Sequence, residues 1–253
     1  MSSITVGLIS TACIFAGSLL GLGLQRLLPG HHLSKDTQDV VKLSAGTIAT
    51  LTALVLGLLV SSAKSSFDAI NNGLVQTSVK IITLDRALAA YGPETKPARE
   101  QIKRSVATSI EMLWPHEKTG VPVSTTMERG AGADRVREEL QKLTPTSDGQ
   151  RQILAQAQQT LSDVAQIRWL ALEQAQNTLP LPLLVILVFW LTLLFVSFGL
   201  FSPPHLTAVI VLFVGACAVS AAIFLVLELN RPLDGMIKVS SAPLMYALRQ
   251  VGQ

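Results

Sequence analysis

The chain has 253 residues, a formal net charge of +3, and only 15% charged against 49% hydrophobic residues, giving a mean hydropathy of +0.45. That balance excludes an ordinary soluble globule, in which about 25% of residues are charged. So small a net charge, with no basic run interleaved with aromatics, sets nucleic acid aside as a partner.

The apolar surplus is gathered into four runs, 4–24, 43–63, 181–201 and 206–227. Each is about the 20 residues a helix needs to cross the roughly 30 Å hydrocarbon layer. They predict an all-α integral membrane protein with four transmembrane helices and a helical cytosolic insert between the second and third. The expected divisions are a first transmembrane pair (1–63), an insert continuous with the second and third helices (64–178), a second pair (179–228) and a C-terminal box and tail (229–253).

Run one follows Met1-Ser-Ser, which lacks Lys and Arg, and it is longer than a signal-peptide core, so it is expected to be retained. Its Gly17 and Gly21 share a helical face. They suit either a close helix contact or the general abundance of glycine in membrane helices. Cys13 and Cys217 fall inside spans and read as buried thiols, with no disulfide framework or metal-ligand spacing. A polar link, 25–41, follows. Its His31-His32 pair has metal-binding chemistry but no accompanying Cys or second spaced His, so it reads as a solvated loop.

The second run carries Thr47, Thr50 and Thr52, with Gly46, Ala53 and Gly57 near one face and no ionisable residue. No proline or turn cluster closes it. Beyond the exit Ser61-Ser-Ala-Lys64-Ser-Ser-Phe-Asp68, apolar residues recur at helical spacing through Ile70, Leu74, Ile81, Leu84 and Leu88. One rod over 42–91 is therefore expected to start in lipid and finish in water, ending at Tyr91-Gly92-Pro93.

The insert predicts further helices over 97–114, with Ile102, Val106, Ile110 and Trp114 on one face, then 133–143 and 148–177, after a loop at 116–132. Residues 64–178 hold 14 Lys and Arg against 13 Asp and Glu, a solvated balance. Spans three and four are joined by Ser202-Pro-Pro-His205 alone, a tight hairpin, and mid-span Trp190 reads as packing. Lys64, Lys80, Arg168, Arg231, Lys238 and Arg249 outnumber Arg26, Lys35 and Lys42, which predicts that both termini and the insert of this multi-pass protein are cytoplasmic.

After the fourth span comes Glu228-Leu-Asn-Arg-Pro-Leu-Asp-Gly235. With Gly57, Ser61, Ser62, Phe67 and Asp68 at the end of span two, and with Val239 and Ser240, the box residues Glu228, Leu229, Pro232 and Gly235 resemble the bestrophin-like family of bacterial membrane proteins of unknown function. The resemblance covers nearly the whole chain. Asn230 stands where an Asp is usual, Leu233 where Phe is usual, and Ala69-Ile-Asn-Asn72 replaces basic residues often seen after Phe-Asp. The family name implies a likeness of layout to bestrophins, oligomeric chloride channels whose second span lines the pore. Their calcium clasp of acidic residues is not evident, and no calcium site is carried over.

The expected function is a homo-oligomeric ion channel, a tetrameric or pentameric ring in the bilayer conducting an inorganic ion. Thr47, Thr50, Leu51, Leu54, Leu58 and Ser61 would face its axis, with Lys64 and Asp68 ringing the cytosolic mouth. Leucines at successive turns would form a hydrophobic constriction. The alternative is a membrane-anchored sensor or scaffold whose insert binds a protein partner. With no phosphate loop, paired metal histidines or nucleophile elbow, no enzyme activity, cofactor or metal is expected.

Overall fold

In lipid each backbone N–H and C=O has to be satisfied within its own segment, which makes helices of the apolar runs. The computed structural model describes residues 2–29, 34–117, 119–121, 131–176, 181–233 and 235–253. Its helices are α1 (Ser3–Leu27), α2 (Lys35–Tyr91), α3 (Lys96–Leu113), α4 (Ala131–Gln141), α5 (Asp148–Gln176), α6 (Leu181–Leu200), α7 (Leu206–Leu229) and α8 (Ala242–Gln250), with one 3-10 turn at Pro93–Thr95. No strand occurs among the described residues. Helices α1, α2, α6 and α7 are long and apolar enough to cross a membrane.

The long rod is real and begins earlier than hydropathy suggests. It runs unbroken for 57 residues, about 85 Å at 1.5 Å per residue, nearly three hydrocarbon thicknesses. Its start at Lys35 instead of 42 shortens the expected link. The cause is local: the Ser34 hydroxyl accepts from the Thr37 amide at 3.4 Å, and Asp36 stands in the first turn, where the helix dipole favours an anion. At the other end Thr95, fully buried, donates from Oγ1 to the orphan carbonyl of Leu88 at 2.6 Å.

Contacts gather the chain into two units, Met1–Phe67 with Thr178–Ile237, and Asp68–Asn177 with Lys238–Gln253. Hydropathy draws its joins at 63/64 and 228/229, where apolar character ends; the contacts place 229–237 with the spans and 238–253 with the insert.

In the first unit α1 buries Ser3, Gly7, Ser10, Ile14, Gly17, Ser18 and Gly21, a seam of small residues against α6 and α7. Without a hydrophobic drive between helices in lipid, such residues gain by letting backbones approach. A Cβ on Gly21 would overlap the Val196 carbonyl oxygen and lie 2.8 Å from the Leu200 nitrogen; one on Gly199 would overlap the Ser18 carbonyl. Of the two readings left open for Gly17 and Gly21, the close contact is therefore the one realised. Cys13 lies off the seam and is exposed, a correction to its expected burial; it and half-buried Cys217 are both free thiols. Ile14, Leu59, Ala63, Leu187, Leu191, Phe195 and Ile223 form the core of this unit.

In the second unit Ile70, Ile81, Leu84 and Leu88 of α2 are buried, with Leu74 half-buried between them; Ile102, Val106, Ile110 and Trp114 of and beside α3 are buried as expected, and α5 adds Ala157 and Leu161. The C-terminal segment adds Val239, Leu244, Ala247, Leu248 and Val251 to this buried set. Helix α4 occupies Ala131–Gln141, two residues earlier than expected. The His31-His32 pair, most of the 116–132 loop, Pro180 and Asp234 lie outside the described residues.

Candidate pore-lining face and its flanking box

Helix α2 has one consistently buried side. At 100° per residue, Ala45, Thr52, Leu59, Ala63 and Ile70 fall together on it, and all are buried. The opposite side carries Thr47, Thr50, Leu51, Leu54, Leu58 and Ser61, all exposed on the protomer. Leu54 and Leu58 are 61% and 63% exposed, values that a core leucine never shows. Small residues occupy one flank of this outward side: Gly46 and Gly57 have nothing within 4 Å of where a Cβ would stand. The leucines occupy the other flank, about a quarter-turn away. Further along α2, Ser65, Asn72, Val75, Val79, Thr83 and Arg86 continue the exposed side.

The threonine hydroxyl protons in this stretch are already committed. Thr47, Thr50 and Thr52 donate to the carbonyls of Leu43, Gly46 and Ile48 at 3.2, 2.9 and 2.7 Å. Back-bonding of this kind leaves only acceptor lone pairs to face outward. Thr47 and Thr50 present them on the exposed side, whereas Thr52 is buried. Lys64 is exposed, with its ammonium 5.9 Å from the centroid of the Phe67 ring, within cation–π range. Asp68 is half-buried.

The box after α7 is built around the carboxylate of Glu228, which is 2% exposed. Its Oε1 accepts from the backbone N–H of Met236 and, at 3.3 Å, from that of Ile237. The Gly235 amide donates to the Arg231 carbonyl at 2.9 Å, closing the loop. A Cβ at Gly235 would stand 2.6 Å from Glu228 Oε1 and 2.8 Å from that carbonyl, so only glycine fits. Asn230 caps the helix end, donating from Nδ2 to the Val226 carbonyl at 2.8 Å. Pro232 stands in the turn, where no helix needs its missing donor. Sequence reading singled out Glu228, Pro232 and Gly235 from family resemblance alone; the geometry makes the first and third a carboxylate and the gap it fills.

Other polar centres escaped sequence reading. The buried Asp85 carboxylate receives Arg99 through Nε and Nη2, both at 2.8 Å, and the Gly252 amide at 3.2 Å. This hydrogen bonding holds the Arg99 guanidinium above its usual pKa. Trp114 Nε1 donates to the Val239 carbonyl at 3.0 Å, and the Ser241 hydroxyl to Glu117 at 2.6 Å. Lys80 bridges α2 to α5 through Asp163 at 2.8 Å, and that bond, with a second from Gln159, lowers the Asp163 pKa below the usual carboxylate range. Among the described residues no cluster of three or more His, Cys, Asp or Glu is placed to hold a metal ion.

The model of the Bestrophin-like domain matches residues 12–244. No curated protein matches the chain. Among solved structures, the fold is similar to a tyrosine-to-alanine variant of a bacterial bestrophin homologue from Klebsiella pneumoniae, at 16% identity over 94% of this chain and 97% of that one, with a TM-score of 0.67. It is likewise similar to a glycine-to-alanine variant of a membrane protein, at 15% identity over 96% of each chain, with a TM-score of 0.69. At such identities the likeness is one of fold.

Proposed function

This chain belongs to the Bestrophin-like family, and from that membership we propose that it is a homo-oligomeric ion channel of the bacterial inner membrane, its pore lined by α2. The observation that carries the reading is the outward side of α2, which the protomer leaves uncovered along the whole span. In a ring of copies this side faces the axis. Leu51, Leu54 and Leu58 then narrow the path at successive turns, and an apolar constriction of that kind closes by expelling water. Thr47 and Thr50 on one side of it, and Ser61 on the other, offer oxygen atoms to an ion that has shed part of its hydration. Lys64 and Asp68 become charged rings at the cytoplasmic mouth, on the side that also holds both termini and the insert.

Flux through liposomes reconstituted with the purified oligomer tests this. Leu54→Ser and Leu58→Ser wet the constriction and are expected to raise basal flux several-fold. Unchanged flux in an assembled oligomer, or a native mass corresponding to a monomer, would sink the channel reading and favour a membrane-anchored scaffold.

A further inference from the structure

A cavity of about 650 Å³ opens in the membrane unit where α2 begins and the α6–α7 hairpin turns. Small residues make the room: Ala45 and Ala49 of α2 face Phe198 of α6 and Leu212 of α7 across it. Its walls are mainly apolar, while Lys42 and Thr207 stand among its lining. Pockets that hold a ligand run to roughly 300–1,000 Å³ and combine such walls with a few polar groups that fix orientation.

Two features say what fits. Lys42 directly precedes Leu43, the first residue of the apolar run, so its ammonium lies at headgroup depth while the cavity walls lie at acyl depth. Lys42 is exposed and has no ion pair among the described residues. The other spans bring no counter-charge: α1 and α6 contain no acidic residue, and Glu228 of α7 is engaged in the box at the far end of its helix. We propose that this cavity binds one anionic glycerophospholipid of the bilayer, its phosphate at Lys42 and an acyl chain laid against Ala49, Phe198 and Leu212.

The test is native mass spectrometry of the full-length protein released from nanodiscs of equimolar phosphatidylglycerol and phosphatidylcholine. The wild type is expected to retain phosphatidylglycerol preferentially. Lys42→Gln should lower that preference about fivefold, the effect of one basic side chain at an anionic surface. Ala49→Phe and Ala208→Phe fill the cavity from α2 and α7 and should abolish retention of either lipid with the thermal midpoint preserved; if one misfolds, the other and Lys42→Gln carry the test. Equal retention of both lipids by the wild type, or full retention by the filled variants, overturns the proposal. So does a filled variant that keeps its lipid but loses its neighbouring subunits, which would assign the cavity to a second copy of the chain. These readouts do not depend on conduction, so a protein with no flux would still retain the lipid.

Discussion

Glu228 shows how one side chain closes a loop. Its carboxylate is buried and satisfied by two backbone amides, and the energetics follow from what removal leaves behind. Glu228→Ala strands both donors, and a buried unpaired donor costs roughly 1–3 kcal/mol, so a loss of about 2–4 kcal/mol is expected in thermal unfolding of the detergent-solubilised protein. Glu228→Gln keeps an acceptor oxygen and should lose less than half as much. Asp163 gives a pH signature at the same scale. Its folded pKa is depressed by Lys80, so the stability it contributes is present above the ordinary carboxylate pKa of about 3.9 and lost as pH falls through the lower folded value. Asp163→Asn should therefore unfold at lower temperature than the wild type at neutral pH, with the difference vanishing at strongly acidic pH. A difference independent of pH would assign the effect to packing.

Helix α1 is held by shape. Its seam against α6 brings the Gly21 and Gly199 positions onto the facing backbone, leaving no room for a methyl group. Backbone cannot yield as a side-chain tip can. Gly21→Leu and Gly199→Leu should each cost at or above about 3 kcal/mol, the upper end of ordinary over-packing, whereas Gly23→Leu, with open space around it, should be near neutral. The readout is the fraction of monodisperse protein recovered after extraction. Helix α2 presents the reverse situation, with leucines exposed where the protomer offers nothing to bury them. An element apolar on both sides belongs in lipid or against other helices.

For the molecule as a whole, the insert is not one stretch of chain. Residues 238–253 return to it, contributing the Val239 carbonyl to Trp114 and the Gly252 amide to Asp85. The Asp85–Arg99 pair is the centre of that return: Asp85 is 1% exposed, and Arg99 also donates to the Gln253 carbonyl at 3.2 Å. Removing one member of a buried pair leaves an uncompensated charge, at a cost of about 3–5 kcal/mol. Arg99→Met should show that loss in denaturant unfolding, together with faster amide exchange in α8. Loss of stability without faster exchange would mean that the pair does not hold the C-terminal segment.

Local periodicity was enough to establish the four spans, the unbroken rod and the buried faces of the insert, because helix formation and burial depend on residues three and four apart. It also marked Thr47, Thr50, Leu51, Leu54, Leu58 and Ser61 as one face, which the protomer leaves exposed. Spacing could not say which of many glycines mattered, since Gly21 and Gly23 differ only in what another helix brings to them. Nor could it explain Glu228, whose amide partners are eight and nine residues away around a turn, or join Asp85 to Gly252, 167 residues apart. The cavity beside Lys42 is of the same kind: three helices line it, and space between helices is a property of packing that no single segment encodes.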